Sequence, residues 1–428
     1  MHVILLAAGV SNRLKPIGDK GLLEFLGKPL IQHQVEQLRA AGFLEIVLVA
    51  NPTNLAALQA VFDGDDRVTF VTQTDDRGMA GGVLAAADLV DQDVLIVSNN
   101  DVFEPELFTT LKNHPGAMHG TLVGKKVTEY FPGGYLSLND VGHLTSIVEK
   151  PGAGNEPSDL VNLVVHRYHH FSELVALLKT TTSEADDLYE KALDRYLRES
   201  KAEIDVLPYS GYWQPIKYPW HILEVSQYFL ETMQAQVDPS AHIHPSAIVE
   251  GNVRIDAGVN VMANAVIQGP AYLGKNSVVG NNSLVRGSMI GRDSVVGFTT
   301  EVARSYLNHH VWMHTNYIGD SVVDENVSFG AGTVLGNLRF DEENIKVRVK
   351  DEKLCSKTNK LGAFIGSGAR FGINGSTNPG VKIGRNSFIG GNVLVDRDID
   401  DDQMVLLEQS LNVMKNNKSA NVTKGRRA

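Results

Sequence analysis

Val249-Glu250-Gly251-Asn252-Val253-Arg254-Ile255-Asp256-Ala257-Gly258-Val259-Asn260-Val261-Met262-Ala263-Asn264-Ala265-Val266-Ile267 carries an aliphatic residue at every sixth position: Val249, Ile255, Val261 and Ile267. Four residues after each comes a small or β-branched side chain: Val253, Val259, Ala265 and Ala271. A period of six matches neither the helical repeat nor the alternation of a plain strand. It fits short parallel strands wound around a prism, each turn stacked on the last. The pattern reaches back to Ile243 and forward through Leu273, Val279 and Val285. It slips by one and resumes at Ile290, Val296 and Val302, returns at Val323, Phe329 and Leu335, and runs again through Ile365, Phe371, Thr377, Ile383, Ile389 and Val395. So long a series excludes chance and predicts a left-handed parallel β-helix of hexapeptide repeats over 241–400. The polar stretch 337–360 interrupts it and reads as a loop leaving one corner of the prism.

Upstream the periodicity changes. Short apolar runs at Val3–Ala8, Glu45–Ala50, Val68–Thr72 and Asp93–Ser98 alternate with helical patterns at Leu30–Ala41, Asn54–Phe62 and Ala80–Leu89. Strand and helix in alternation predict a Rossmann-like, doubly wound α/β domain with helices on both sides of its sheet. The domain is expected over 1–225, with a helical connector at 226–240. After the β-helix, 401–428 reads as a tail with one amphipathic stretch and a disordered, basic end.

Ligands of such sheets bind where strands end at their carboxyl termini. That directs attention to 7–20 and 98–102. The first loop holds Ala8 and Gly9, which let backbone approach a ligand closely, then Arg13 and Lys20, which bring positive charge. Its spacing is neither that of a Walker A loop nor of GxGxxG. On residue types alone, a phosphate site and a plain turn with two exposed cations both remain open.

The net charge of −11 argues against non-specific nucleic-acid binding, which needs many cations against phosphates. One cysteine, Cys355, admits no internal disulfide. No run approaches the roughly 18–20 apolar residues of a membrane span. These features lead us to expect a cytoplasmic protein with neither membrane nor nucleic acid as partner.

The opening Leu5-Leu6-Ala7-Ala8-Gly9-Val10-Ser11-Asn12-Arg13-Leu14-Lys15-Pro16, with Lys20 and Gly27-Lys28-Pro29-Leu30-Ile31 beyond, resembles that of the sugar-1-phosphate nucleotidylyltransferases. Further motifs follow in that family's order: Gln73 with Gly78-Met79-Ala80-Gly81-Gly82, Asn99-Asn100-Asp101, Pro132-Gly133-Gly134-Tyr135, Glu149-Lys150-Pro151, Asn162, and Gly211-Tyr212-Trp213 with Tyr218-Pro219-Trp220. The resemblance implies that Gln73 and Gly78 contact the base and that Gly134, Glu149 and Asn162 contact the sugar. It gives Lys150 the sugar phosphate, Arg13 and Lys20 the triphosphate, and Asp101 a Mg²⁺ ion. Ser11 stands at a usual glycine and Asp19 at a usual proline. Pro215 occupies the place where many relatives carry a second acidic ligand.

Within the repeats, His314-Thr315-Asn316-Tyr317-Ile318-Gly319-Asp320, Gly330-Ala331-Gly332-Thr333 and Asn337-Leu338-Arg339-Phe340-Asp341 resemble the acetyltransferase half of two-domain, archaeal-type bifunctional N-acetylglucosamine-1-phosphate uridylyltransferase / glucosamine-1-phosphate acetyltransferases. That likeness implies His314 as general base, Tyr317 and Asn337 as substrate-positioning groups, Arg286 on the sugar phosphate, and acetyl-coenzyme A bound between subunits of a homotrimer or a dimer of trimers. The family's lysine upstream of the histidine has only Arg304 as a counterpart.

Nucleotidyl transfer from UTP or dTTP to a hexose 1-phosphate, with amino-sugar acetylation as a second activity, is therefore the expected function. The alternatives are a single nucleotidyl activity with a β-helix that assembles or regulates, and a non-catalytic sensor of sugar nucleotides.

Overall fold

The computed structural model describes residues 1–417. Buried aliphatic runs at His2–Leu6, Glu45–Ala50, Val68–Thr72 and Val94–Ser98 form the parallel centre of a nine-stranded sheet, with His2–Leu6 between Val94–Ser98 and Glu45–Ala50. Antiparallel strands Gly120–Lys126, Gly134–Leu138, Leu144–Glu149 and Leu160–Tyr168 continue the sheet beyond Val94–Ser98, so it is mixed. Helices Gly78–Ala86, Phe171–Thr180 and Leu188–Glu199 bury one face, and Leu30–Ala40, Leu55–Val61 and Glu106–Asn113 bury the other. The expected two-sided α/β architecture is present.

Residues 236–405 wind into a parallel β-helix of three sheets with eight, nine and eight strands. The aliphatic residues at the repeat positions point inward as one continuous core. Asn264, Asn276, Asn282, Asn374, Asn386 and Asn392 turn corners at φ between 53° and 58°. Asparagine tolerates this left-handed conformation because its side chain can hydrogen-bond locally. The apparent gap between Val302 and Val323 is filled by Leu307, Met313 and Ile318. Shortened, five-residue steps hid these rungs from a strict period of six.

Three expectations need correction. The connector helix is His221–Thr232 rather than 226–240, and the first strand of the prism begins at Gln236. The excursion at 337–360 contains a β-hairpin, Lys346–Val349 against Glu352–Cys355, whose alternating Val347 and Val349 are buried. The β-helix also runs past 400, because Met404–Val405 pairs with Phe388–Ile389. Beyond it, 406–417 form no regular element, and 418–428, expected to be disordered, lie outside the described residues.

One apolar cluster joins the two halves. Leu14, Ile17 and Phe25 from the first domain, Trp220, Ile222 and Phe229 around the connector, Tyr272, Met289, Tyr306 and Phe364 from the prism, and Val347 from the hairpin share it. Phe25 stacks on Phe229 with ring centroids 5.0 Å apart, and Tyr306 Oη donates to the Glu24 carbonyl at 3.0 Å. None of the helices among the described residues is long and apolar enough to cross a membrane.

Candidate functional site

The two loops singled out at the carboxyl ends of the strands lie side by side. The backbone beyond His2–Leu6 is held open by amides of the neighbouring loop: Asn54 Nδ2 donates to the Ala7 carbonyl at 2.9 Å, and Asn51 Nδ2 to the Ala8 carbonyl at 3.0 Å. A Cβ at Gly9 would sit 3.9 Å from Lys20 Nζ, so the bare backbone faces that ammonium. Asp19, at the unusual position, caps the short turn that follows by accepting from Gly21 N–H at 2.8 Å, and also accepts from Asn54 at 2.9 Å. Its carboxylate therefore orders the loop that carries Lys20. Arg13 is exposed at the rim, and its charge acts on Lys20, Lys150 and Lys217 alike.

Asp101 opens the short strand Asp101–Phe103, which pairs antiparallel with Trp213–Pro215. Its carboxylate is buried; Oδ1 accepts the Trp213 indole N–H at 2.8 Å, and its carbonyl accepts from Gln34 Nε2 at 2.9 Å. Burial pushes its pKa up, against the Trp213 hydrogen bond and the charges of Lys217 and Lys20. A positive ligand beside it would reverse that penalty. Pro215 is the direct strand partner of Asp101, so no second carboxylate comes from that position. Burial likewise pulls Lys20 below the usual lysine range, with Asp19 and Asp101 opposing it.

Lys150 directly follows the strand Leu144–Glu149. Its Nζ is 2.7 Å from a Glu149 carboxylate oxygen and 3.8 Å from Asp186. Burial lowers its pKa, but Glu149 outweighs that and the net shift is upward. Its backbone sits at φ 46°, in the left-handed region, while its N–H donates to the Gly133 carbonyl at 3.0 Å. The strained residue thus ties the loop before Gly134 to the cationic side chain. Gly134 packs where a Cβ would approach Glu149 Oε2 to 3.3 Å.

Asn162 and His166 belong to one strand, four residues apart, yet His166 Nε2 is 2.9 Å from Asn162 Oδ1. A register shift between Leu163 and His166 makes this possible, since a bulge shortens and re-aims the strand. His166 Nδ1 meets Tyr189 Oη at 2.8 Å, and Tyr189 meets Tyr168 Oη at 2.7 Å. Burial pushes the His166 pKa down to about 3, so the ring is neutral at physiological pH. With Nε2–H donating to the Asn162 carbonyl oxygen, the Asn162 NH₂ keeps both its donors for other partners. Gln73, expected at the base, donates to the Gly78 carbonyl at 2.9 Å, and Gly78 itself sits at φ 54°.

Sequence reasoning did not single out Gln34, Asn51, Asn54, His166, Asp186, Glu190 or Lys217. The amides and the histidine carry no local signature. Lys217, two residues past the anomalous Pro215, was visible as a charge in an otherwise apolar closing motif.

On the prism, Tyr317 and Asn337 meet, with Asn337 Nδ2 donating to Tyr317 Oη at 3.1 Å and also to Asp320. Asp320 is held by Arg304 through bonds of 2.6 and 2.7 Å. Arg304 is thus a bracing group for this cluster. His314 is exposed at the corner leading into the same sheet, and its side chain stands apart from that bonded set. Arg286 lies two strands below Tyr317 on that sheet and is paired with Glu301 at 2.9 and 2.7 Å.

Residues 2–232 match the nucleotidyl transferase family. The chain belongs to that family. Residues 232–346 match the GMPPB C-terminal domain. A bifunctional sugar-1-phosphate nucleotidylyltransferase/acetyltransferase of Sulfurisphaera tokodaii is 33% identical over 410 residues, covering 93% of this chain and 98% of that protein. The bifunctional protein GlmU of Methanocaldococcus jannaschii is 30% identical over 96% of this chain and 98% of its own length. The UTP–glucose-1-phosphate uridylyltransferase AglF of Haloferax volcanii is 27% identical over 51% of this chain and 92% of its own, a match confined to 234 residues. The first two relatives are therefore matched through both halves of the fold.

Proposed function

We propose that this member of the nucleotidyl transferase family joins a nucleoside triphosphate to a hexose 1-phosphate, releasing pyrophosphate, and that its β-helix acetylates an amino-sugar 1-phosphate. The observation that supports the first activity is that Arg13, Lys20, Lys150 and Lys217 are near enough for their charges to act on one another or on one buried carboxylate, Asp101. A sugar-phosphate oxygen forms a bond to the α-phosphorus while the bond to pyrophosphate breaks. The protein need only align two repelling anions and neutralise charge as it shifts toward the leaving group. Arg13 and Lys20 serve the triphosphate, and Lys150 the sugar phosphate. Asn162 and Glu149 serve the sugar hydroxyls, and Gln73 and the 78–82 helix start serve the base.

The residues fit a single Mg²⁺. Among the described residues no group of three His, Cys, Asp or Glu side chains is arranged to hold a metal ion, but Mg²⁺ is commonly held by one carboxylate together with phosphate oxygens and waters. Asp101 would be that carboxylate. Bound there, the ion would screen negative charge at the reacting phosphorus.

For the second activity, His314 is the base that accepts a proton from the sugar amine as it attacks the thioester of acetyl-coenzyme A. Tyr317 and Asn337 position that substrate. Exposed Phe298, Trp312 and Leu394 on the prism support assembly into a trimer, which would complete a site that is open in one chain. The pairing of Arg286 with Glu301 favours the rival reading, a β-helix that only assembles.

The two are separated by experiment. Pyrophosphate release is expected with at least one pairing of UTP or dTTP with glucose 1-phosphate or N-acetylglucosamine 1-phosphate. Thiol release from acetyl-coenzyme A is expected with glucosamine 1-phosphate and should vanish in His314→Ala. No pyrophosphate from any pairing rejects the first activity, and no thiol from the wild type rejects the second. The lone exposed Cys355 accords with a cytoplasmic, reducing setting.

A further inference from the structure

Lys217 follows the strand Trp213–Pro215 and turns back into the cleft. Its Nζ donates to the Pro132 carbonyl at 2.8 Å and stands 3.8 Å from the centroid of the Phe131 ring. Phe131 packs on Trp213 with centroids 4.8 Å apart, and Trp213 donates to Asp101. On the other side, Pro132 leads into Gly133, whose carbonyl holds Lys150. Lys217 therefore sits between the metal-binding carboxylate and the sugar-phosphate loop. An ammonium has three donors, and Pro132 takes one. The ring face and the carbonyl fix the ammonium, which keeps donors to spare for a ligand oxygen.

We infer that Lys217 is a phosphate-binding catalytic residue, contacting the phosphate oxygens between Asp101 and Lys150 and supplying fixed positive charge where Pro215 leaves the metal with one carboxylate. The inference rests on the nucleotidyl-transfer reading and adds a group to its machinery. The charges of Asp101 and Glu149 favour the ammonium, and those of Arg13 and Lys150 oppose it. A half-buried cation held in place beside a developing charge is screened less than one free in water and needs little reorganisation.

A bland alternative is that Lys217 merely fastens the 131–134 loop through Pro132. Lys217→Gln keeps an N–H donor for that carbonyl and removes the charge. Lys217→Arg keeps the charge. Calorimetric binding of UDP-glucose and of dTDP-glucose in EDTA reads the phosphate contact without metal or turnover, and kcat/KM for the hexose 1-phosphate reads the reaction. For whichever probe the wild type binds, Lys217→Gln should weaken it by about 10- to 100-fold, the size expected of a hydrogen bond to a charged group. Its kcat/KM should fall at least as far, and Lys217→Arg should recover most of both. Wild-type affinity in Lys217→Gln, or no wild-type binding of either probe, overturns the inference. Failure of the wild type to release pyrophosphate would instead reject the parent reading, while the binding comparison would still judge Lys217.

Discussion

Asn162 owes its orientation to groups buried in the core. Tyr168, Tyr189 and His166 form a buried relay of hydrogen bonds that ends on its carbonyl oxygen. His166→Phe keeps the ring volume and removes the last donor. We expect it to cost about 1–3 kcal/mol of stability, because Asn162 and Tyr189 each lose a partner. It should raise KM for the hexose 1-phosphate several-fold with the KM of the triphosphate unchanged. Equal effects on both substrates would show a general distortion instead. Glu190, next in sequence to Tyr189, is pushed up to about 7, first by burial and then by the Glu149 carboxylate. A carboxyl raised in the folded state binds more protons folded than unfolded between about pH 4.5 and 7, so stability must fall as pH rises through that window. Glu190→Gln should therefore be more stable than wild type at pH 8, by up to about 3 kcal/mol, with the advantage shrinking toward pH 5. Denaturant unfolding at the two pH values decides it. The sequence displayed the charged members of this site, Arg13, Lys20, Asp101 and Lys150, because they lie in compact motifs. It could not display His166 or Lys217, whose roles depend on a bulge and on a contact 85 residues away.

At the scale of elements, the hexapeptide period was legible because each inward residue meets its copy one turn away. Apart from the 337–360 insertion, the pattern was lost between Val302 and Val323, where three of the four steps shorten to five residues, and there buried Leu307, Met313 and Ile318 still line the core. The hairpin at 346–355 was read as loop because six of its ten residues are charged, although Val347 and Val349 alternate with Arg348. Those two valines share the junction cluster with Ile222, Val225 and Phe229 of the connector helix. The hairpin is thus a clamp across the domain junction, and Lys357, just past it, pairs with Glu129 of the first domain. Val347→Ala should cost about 1–3 kcal/mol, as expected for a truncated buried aliphatic side chain. Replacing 340–358 by two glycines is expected to leave the prism folded, because Leu338 and Lys360 already bridge and Val322–Val323 pairs directly with Phe364–Ile365. Calorimetry of that deletion should resolve two transitions where the intact chain shows one. A single unshifted transition would deny the clamp.

Across the whole molecule, the nucleotide loop is not held by its own domain alone. Gly18 N–H donates to Asp324 of the prism at 3.1 Å, and Arg385 donates to the carbonyls of Pro16 and Ile17 at 3.1 Å each. These bonds grip the segment between Arg13 and Lys20, the two cations proposed to serve the triphosphate. Asp324 is buried, fixed by Asn308 and by the Glu325 N–H, so its carboxylate offers a rigid anchor rather than a flexible tether. A loop fixed in advance loses less entropy when its ligand binds. The β-helix should therefore support nucleotidyl transfer even if its own acetylation chemistry is removed. Arg385→Ala deletes two bonds to the loop and leaves Arg13, Lys20, Asp101 and Lys150 intact. We expect kcat/KM for the triphosphate to fall about tenfold, in keeping with about 1.4 kcal/mol of lost preorganisation. Thiol release from acetyl-coenzyme A should be unaffected, and His314→Ala should show the opposite pattern. A fragment of residues 1–232 should bind triphosphate no better than Arg385→Ala, since it lacks both Asp324 and Arg385. If instead the fragment matches the full chain in triphosphate affinity, the loop needs no support from the prism, and the two halves work as neighbours without mechanical exchange.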